Sequence, residues 1–454
     1  NRDGEIIVGN SEGGVLRVHE TGGVPANVTM LDQSRKEEFH LLPSFLPDGR
    51  HFVYLRVSPS TPDSSGTYVG SLDRKPDEQD MQRLMPYVIG LAYAPATGAG
   101  PGRLLFVREG TLVAQPFDPE RLALAGNAIP VAERVGIFRD GAFFSASAND
   151  VLVYRTADTD SQLTWFDRQG TVSGRASEPG AFRAAALSPD GTRAVASRTD
   201  SQDPSKADLW LLDLNHGTAA TRLTSGAGIA EFPVWSPDGA RITYTFNNSF
   251  LNDKPANGED GEKTLLQTFS AGGVVATGWS SDGRFLLYSA SDISVRDLWV
   301  MPAGGRKPIP FLRTEFVEDQ AVFSPTGRWV AYVANQTGGY EVYVRAFTSD
   351  FASGPAGTGA SIRISRGGGT SPRWRGDGRE LFYLAPDGKM MAAAVIPEPE
   401  FRVGTPTALF QAPPGTVVVD VASDGKRFLL VTPVGASASA PYTVVLNWTT
   451  ELKK

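Results

Sequence analysis

Glu231-Phe-Pro-Val-Trp-Ser-Pro-Asp-Gly-Ala-Arg-Ile-Thr-Tyr-Thr245 reads as a short strand, Phe232 to Trp235, a tight turn at Pro237, Asp238 and Gly239, and a second strand from Arg241 to Thr245. Proline presets the backbone angle φ for such a turn, aspartate can bond its own backbone, and glycine takes φ > 0 without a steric penalty. Apolar residues alternate on both sides, which is the period-2 pattern of strands. The phrase recurs at Leu46-Pro-Asp-Gly-Arg-His-Phe-Val-Tyr54, Leu187-Ser-Pro-Asp-Gly-Thr-Arg-Ala-Val195 and Trp279-Ser-Ser-Asp-Gly-Arg-Phe-Leu-Leu-Tyr288. It returns at Phe323-Ser-Pro-Thr-Gly-Arg-Trp-Val-Ala-Tyr332, Trp374-Arg-Gly-Asp-Gly-Arg-Glu-Leu-Phe-Tyr383 and Ala422-Ser-Asp-Gly-Lys-Arg-Phe-Leu-Leu430. The turn positions 190, 238, 282, 326, 377 and 424 lie 48, 44, 44, 51 and 47 residues apart. A period in that range, with four short strands per unit, predicts an all-β fold: a β-propeller of four-stranded antiparallel blades.

About ten such units fit the chain, from Asn1-Arg-Asp-Gly-Glu-Ile-Ile-Val8 to a last one, Val417 to Trp448, that has three strands and lacks a fourth. One ring of ten would be unusual, since propellers mostly have four to eight blades. The expected division is therefore residues 1–149 as N-terminal blades of an incomplete ring and residues 150–454 as a C-terminal propeller of six or seven blades. Closure would come from Thr171–Ala176 or the strands Val151–Arg155 and Leu163–Asp167. One continuous ring over 1–454 is the alternative.

Of the 454 residues, 41% are hydrophobic, ample for a core, and the 49 glycines and 32 prolines fall among turns rather than in a disordered tract. A formal net charge of −7 argues against nucleic acid or an anionic membrane as the main partner. The absence of cysteine excludes disulfides and thiolate chemistry without choosing a compartment. No run of 18 apolar residues occurs, so no helical span is expected. The chain begins with Asn inside a repeat that lacks its first strand, and is read as a mature product or an excised piece; it is read as a monomer. Tyr54, Tyr244, Tyr288, Tyr332 and Tyr383 recur six residues after the turn position, and Trp235, Trp279 and Trp374 form a second column. Both columns are assigned to packing between blades, where large aromatic areas are buried.

With these residues in view, the chain resembles the WD-like, TolB-type propeller repeats of bacterial envelope proteins. More specifically, it is similar to the C-terminal region of acidobacterial-type receptor Ser/Thr kinases. The segments that carry this include Leu105-Phe-Val-Arg-Glu-Gly-Thr-Leu-Val-Ala-Gln-Pro-Phe-Asp118, Gln162-Leu-Thr-Trp-Phe-Asp-Arg-Gln-Gly170 and Phe311-Leu-Arg-Thr-Glu-Phe316. The resemblance implies an extracytoplasmic bacterial sensor or interaction domain, periplasmic or at the cell surface, normally preceded by a cytoplasmic kinase domain and one membrane span. The chain itself has no Gly-rich phosphate loop, no His-Arg-Asp loop and no Asp-Phe-Gly, so it does not phosphorylate by that mechanism.

Other motifs are weak. Gly9-Asn-Ser-Glu-Gly13 matches G-x-S-x-G but lies between two strands, where a hairpin turn accounts for it; Ser423-Asp-Gly-Lys426 matches S-x-x-K but is the repeat turn again. His19, His40, His51 and His216 show no metal-ligand spacing. The insertion Asn252 to Lys263, with Asp253, Glu259, Asp260 and Glu262, could collect calcium but lacks the alternating-oxygen loop, so a solvated acidic loop is the expectation and no cofactor is assigned.

In a propeller the first strand of each blade lines the central channel and starts near one mouth. Seven residues before the turn position, that column reads Leu41, Arg183, Glu231, Val275, Asp319, Thr370 and Val417, with His40 and Glu318 one step earlier. Arg183, Glu231, Glu318, Asp319 and His40 are thus the candidate ligand-binding residues, suited to a protein or a small polar ligand at the channel mouth. No catalytic residue is assigned, and the leading reading is a non-enzymatic binding domain. If Glu231 and Asp319 lie close, they form an acid/base pair of the glycosidase type and the chain is a hydrolase or lyase acting on oligosaccharides; an envelope-complex scaffold is the third reading.

Overall fold

The repeated turn works through its side chains. The Ser236 hydroxyl donates to the Asp238 carboxylate (2.5 Å), which accepts from the Ala240 N–H (3.0 Å), while Arg241 N–H donates back to Ser236 Oγ (2.9 Å). Gly239 sits at φ 68°, where a Cβ would be strained. Ser188 and Asp190 repeat the arrangement, and the Ser188 hydroxyl bond, the largest influence, holds the Asp190 carboxyl down at about 2. Ser280 and Asp282 repeat it again. Each turn thereby fixes the register between the first two strands of a blade.

The structure is a computed structural model that describes every residue except 11–12, 59–63, 97–100, 139–140, 157–160, 201–202, 204–205, 216–219, 227, 269–272, 292–294, 305–306, 350–355, 399, 435–441 and 452–454. Ser11 of the G-x-S-x-G match and His216 therefore lie outside the described residues. The fold is a β-propeller, nearly all antiparallel strand, divided into two compact units, Asn1–Asp158 with Ala440–Lys454 and Thr159–Ser439. No helix among the described residues is long and apolar enough to cross a membrane.

Among the described residues Thr159–Ser439 contains six sheets. The first blade runs Phe182–Leu187, Arg193–Thr199, Ala207–Asp213, Ala220–Arg222, and the second Ala230–Trp235, Arg241–Phe246, Phe250–Pro255, Lys263–Gln267. The third runs Val274–Trp279, Phe285–Ser291, Arg296–Pro302, Ile309–Leu312, and the fourth Glu318–Phe323, Trp329–Ala334, Glu341–Phe347, Gly357–Arg363. The fifth has Thr370–Trp374, Glu380–Leu384, Lys389–Ile396 and Thr407–Gln411. The sixth takes its inner strands, Val417–Val421 and Arg427–Pro433, from one end of the unit and its outer strands, Ser161–Asp167 and Val172–Arg175, from the other. The six inner strands neighbour one another in a closed cycle, the last lying beside the first.

Among the described residues Asn1–Asp158 with Ala440–Lys454 contains four main sheets. These are Glu5–Val8 with Leu16–His19 and Ala26–Asn27; Phe39–Phe45, His51–Val57, Gly66–Ser71 and Met85–Pro86; Ile89–Ala94, Gly102–Arg108 and Thr111–Asp118 with two short outer strands; and Phe144–Ala146, Val151–Arg155 and Tyr442–Leu446. Two sequence expectations are corrected here. Tyr442–Leu446, read as the third strand of the last repeat, pairs instead with Val151–Arg155. The stretch read as an acidic insertion begins inside a strand: Asn252 and Asp253 are buried in Phe250–Pro255, and the Asp253 carboxylate takes hydrogen bonds from Arg241 Nε and from Thr243 Oγ1 (3.0 Å).

The aromatic columns bind blades together. All five column tyrosines are buried, and burial pushes the Tyr332 and Tyr383 hydroxyls up to about 12. Tyr332 packs with Phe285, Leu287 and Leu298 of the preceding blade. The tryptophans reach backwards: the Trp235 indole donates to Ala186 O (3.1 Å), Trp279 to Thr243 Oγ1 (3.0 Å) and Trp374 to Val322 O (3.3 Å). Each bond links a blade to the one before it. Gly239→Ala is expected to destabilise the protein by about 1–2 kcal/mol, the cost of a left-handed residue with a Cβ, because the added carbon meets nothing closer than 3.7 Å. Denaturant titration checks this, and an unchanged midpoint would show that the turn tolerates φ > 0 without glycine.

Candidate functional site at the channel mouth

The inner strands are irregular at one level. Every inner strand of Thr159–Ser439 carries a register shift near its start: between Phe182 and Ala184, Glu231 and Val234, Ala276 and Gly278, Asp319 and Val322, Thr370 and Arg373, and Val418 and Asp420. Three residues at these bulges are non-glycines in the left-handed region, Phe232 (φ 50°), Gln320 (φ 53°) and Ser371 (φ 55°). A bulge inserts an unpaired residue and re-aims the side chains around it. Phe232 is 41% exposed, an uncommon position for a large aromatic, and Gln320 Oε1 accepts the Ser371 N–H of the next blade (2.6 Å).

Charged side chains sit beside these bulges, and each has a partner. Arg183 Nη1 donates to Glu231 Oε1 (2.5 Å), spanning the first and second blades, and Arg183 Nε donates to Thr199 Oγ1 (2.7 Å). Asp319 accepts from Ser289 Oγ (2.7 Å), with Arg296 Nε at 3.9 Å, spanning the third and fourth. Further along the strands, Arg373 Nε lies 3.8 Å from Asp420 Oδ1, spanning the fifth and sixth, and Asp420 Oδ2 accepts the Leu187 N–H of the first blade (3.3 Å). Water reaches part of both side chains, yet the surrounding blades desolvate them: burial pushes the Asp420 carboxyl up and the Arg373 guanidinium down, each opposed by the other's charge. The sequence column, taken seven residues before the turn, lies on the other side of the bulge from this third pair, whose members both stand four residues before the turn positions 377 and 424.

Of the five candidates read from the sequence, Arg183, Glu231 and Asp319 are partly exposed beside the bulges, and Arg183 and Glu231 are brought together. Glu231 and Asp319 belong to the second and fourth blades, each committed to a different arginine. Glu318 and His40 sit elsewhere. Glu318 is 2% exposed; the alternation of the strand turns it away from Asp319 and into the wall between blades. Thr314 Oγ1 donates to its Oε1, while Oε2 has no hydrogen-bond partner among the described residues. Burial, reinforced by the nearby Asp297, pushes this carboxyl up to about 7.

His40 lies in the unit that contains Asn1–Asp158 and is wholly buried. Its Nδ1 meets Thr29 Oγ1 (2.7 Å) and its Nε2 meets Glu37 Oε2 (3.1 Å), while Arg56 donates to the Tyr54 hydroxyl (2.8 Å) and stacks 4.2 Å from the Tyr68 ring centre. Burial, the largest influence, holds His40 below the usual imidazole value against the pull of Glu37. The hydroxyl–imidazole–carboxylate order is that of a nucleophile chain, but no solvent reaches it and Thr29 Oγ1 also accepts the Val15 N–H (2.7 Å). It is a structural clasp.

The same clasp recurs in forms the sequence reading missed. Thr224 Oγ1 accepts the Leu209 N–H (2.9 Å) and donates to the Asp208 carboxylate (2.8 Å). Ser365 Oγ accepts the Val342 N–H (2.8 Å) and donates to Glu341. Ser177 Oγ accepts the Leu163 N–H (3.0 Å). The signal was a Ser or Thr just past an outer strand, 16 residues after a polar residue at the start of the third strand in Asp208…Thr224 and 24 after it in Glu341…Ser365. Two of the four acidic residues named for calcium are also engaged: Asp253 as described, and Glu262 with Asn252 Nδ2 (2.9 Å) and Lys254 (4.0 Å). No group of three or more metal-ligating side chains gathers among the described residues.

The sheets and their cyclic order thus define a β-propeller with ion pairs strung along its inner strands. No family model matches the chain. It is 25% identical, over 203 residues, to an uncharacterized protein of Agrobacterium fabrum, covering 44% of this chain and 68% of that one. Among solved structures it is similar to a TolB-type protein of Agrobacterium tumefaciens, at 17% identity and a TM-score of 0.46, covering 61% of this chain and 99% of the other. It is also similar to TolB of Acinetobacter baumannii, at 13% identity and a TM-score of 0.40, covering 79% and 82%. A β-propeller domain from Myceliophteria thermophila aligns at 13% identity and a TM-score of 0.36, covering 66% and 93%. The assignment of the fold rests on the strand pairing itself.

The raised Glu318 carboxyl makes a testable statement about stability. Between its ordinary value of 4.5 and about 7, the folded protein keeps a proton that the unfolded chain has released, so stability falls as pH rises through that window. Glu318→Gln is expected to flatten this slope and to raise the melting temperature at pH 8 by a few degrees. Thermal unfolding at pH 5 and pH 8 checks it; a variant that keeps the wild-type slope would show that Glu318 is not the group responsible.

Proposed function

We propose that this chain is a non-catalytic, TolB-type interaction propeller that works outside the cytoplasm of a bacterium and binds a protein partner or a small polar ligand at the channel mouth of Thr159–Ser439. The observation that carries this reading is the coincidence, at one level of the ring, of bulged inner strands, left-handed non-glycine residues and partly exposed ion pairs. A non-glycine residue in the left-handed region costs of order 1 kcal/mol, and such strain clusters where binding needs it. Phe232 supplies an exposed aromatic next to Glu231 on the same inner strand. Aromatic and arginine side chains are the usual anchors of protein interfaces. The sequence resemblance to receptor-kinase C-terminal regions supports the further reading that the domain is a sensor or interaction module of a longer envelope protein.

The hydrolase reading has less to stand on. A glycosidase pair needs one carboxyl free to give its proton to the leaving group and the other free to attack or to activate water. Glu231 is tied to Arg183, and Asp319 to Ser289 with Arg296 beside it. An arginine-bound carboxylate orients and recognises more readily than it transfers protons.

A thermal-shift screen of cell-wall peptides and oligosaccharides tests the proposal. A ligand at about a hundred times its dissociation constant stabilises the protein by roughly 2.7 kcal/mol, a shift of several degrees for a chain of this size. The shift is expected to disappear in Glu231→Gln/Asp319→Asn and in Phe232→Ala while the unliganded melting temperatures stay close to wild type. Binding that survives both variants would place the site elsewhere, and turnover of a bound oligosaccharide would replace the binding reading with the hydrolase one.

A further inference from the structure

The unit containing Asn1–Asp158 carries a second candidate site, unrelated to the channel mouth. Between the strands Gly66–Ser71 and Met85–Pro86, residues 72–84 form a 13-residue connection without regular strand or helix. Loops of that length inside a compact domain are uncommon and are usually functional when they are ordered. This one is pinned at both ends and in the middle. Leu72 N–H donates to Arg50 O (2.9 Å) and Leu84 N–H to Thr67 O (2.8 Å). The buried Gln79 side chain accepts the Ser71 N–H (2.9 Å) and donates to Ser71 O (2.9 Å) and to Val28 O (3.1 Å). Arg56, itself buried, donates to Asp80 O (2.6 Å). The loop is held as a wall rather than left as a flap.

Behind that wall lies a cleft of about 350 Å³, bounded on the far side by the turn and short strand at Arg121, Leu122 and Leu124. That volume is within the range of small-molecule sites. Its lining is divided. Val69, Leu84, Leu122 and Leu124 supply apolar surface, whereas three arginines, Arg74, Arg83 and Arg121, reach it from the loop and from the facing turn. Asp80 is the one carboxylate among the described lining residues, and its Oδ1 accepts the Gln82 N–H (2.9 Å). Arg83 is positioned by its stem: it crosses Gly66 so closely that a Cβ there would lie 2.4 Å from its Cδ, and its Nη1 donates to Ser65 O (3.3 Å). Arg121 is 85% exposed and only loosely attached to Asp118 (3.7 Å), so its guanidinium can turn inward.

Among the described lining residues three guanidinium groups stand against one carboxylate, and with Asp118 beside Arg121 counted the spot is still net positive, on a chain whose net charge is −7. Guanidinium matches a carboxylate or phosphate with paired hydrogen bonds, and the leucines beside it would shield an alkyl or aryl body from water at about 25 cal/mol per Å². We propose that this cleft binds an amphipathic organic anion, with its carboxylate or phosphate on Arg74, Arg83 and Arg121 and its apolar body against Leu84, Leu122 and Leu124. The site is complete within one unit and needs neither the channel nor a metal ion.

Isothermal titration of the whole chain with hexanoate, hexyl phosphate, hexanol and acetate tests it at low and high salt. Hexanoate or hexyl phosphate is expected to bind at least ten-fold more tightly than hexanol and than acetate, weakening as salt rises, and the ratio between the two anions identifies the preferred head group. Arg83→Gln and Arg121→Gln should each weaken the anion at least five-fold without changing hexanol binding, and Leu122→Ser should weaken hexanoate but not acetate. The Glu231→Gln/Asp319→Asn variant should bind hexanoate as wild type does, which separates this site from the channel mouth. No anion binding at millimolar concentration, or binding unaffected by either arginine variant, would overturn the proposal. Equal binding of hexanol would overturn it too.

Discussion

Seven residue pairs, from Ser161 opposite Pro433 to Asp167 opposite Arg427, join the two ends of Thr159–Ser439. A propeller blade buries one face against each neighbour, so a row of blades leaves two apolar faces bare, and full closure removes both. Here the closing sheet takes its inner strands from the end of the unit and its outer strands from the beginning. Phe166 packs with Phe410 and Phe428 in one cluster, while Leu163 and Trp165 pack with Ala194 and Leu212 of the first blade in another. The same short strand therefore completes the core on both sides. The tyrosine and tryptophan columns, the backward-reaching indole bonds and the cycle of inner strands all presuppose that closure.

Polar chemistry follows from the same geometry. An inner strand has one edge in its sheet and its side chains divided between the channel and the walls. Charges that face the channel find partners on adjacent blades, as Arg183 does with Glu231 and Arg373 with Asp420. A charge one residue away on the strand is turned into the wall, where Glu318 loses water and is held by the Thr314 hydroxyl. Ion pairs left partly wet contribute little to stability. The hydroxyl clasps have the opposite character. Thr224, Ser365, Ser177 and Thr29 each satisfy a backbone N–H that would otherwise be orphaned where the outer strand turns toward the next blade.

The fold was legible because its signal is local and repeated. Ser236, Asp238 and Gly239 interact within six residues, and nothing distant is needed to make that turn or to set the alternation of the strands on either side. The column of inner-strand starts was legible for the same reason, and three of its residues, Arg183, Glu231 and Asp319, lie partly exposed beside the bulges. It misplaced Glu318 and His40, since a single step along a strand exchanges channel for wall, and it missed Arg373 and Asp420, which stand four residues before the turn, past the bulge, rather than seven. The Arg-lined cleft had no signature at all: Arg74, Arg83 and Arg121 are spread over nearly fifty residues and come together only around a loop pinned by Gln79.

What the sequence by itself determined was the repeating unit: turn chemistry, strand period, the aromatic columns and hence a propeller of many four-stranded blades. Tertiary structure alone decided which strands share a sheet. Tyr442–Leu446 reads as the continuation of the last repeat, yet it pairs with Val151–Arg155, and Ser161–Asp167 pairs with Arg427–Pro433. Strands of similar pattern are interchangeable as far as their own residues are concerned. In Thr159–Ser439 the pairing of Ser161–Asp167 with Arg427–Pro433 covers the apolar faces of the blades on both sides, and that is a property of the closed assembly rather than of any segment.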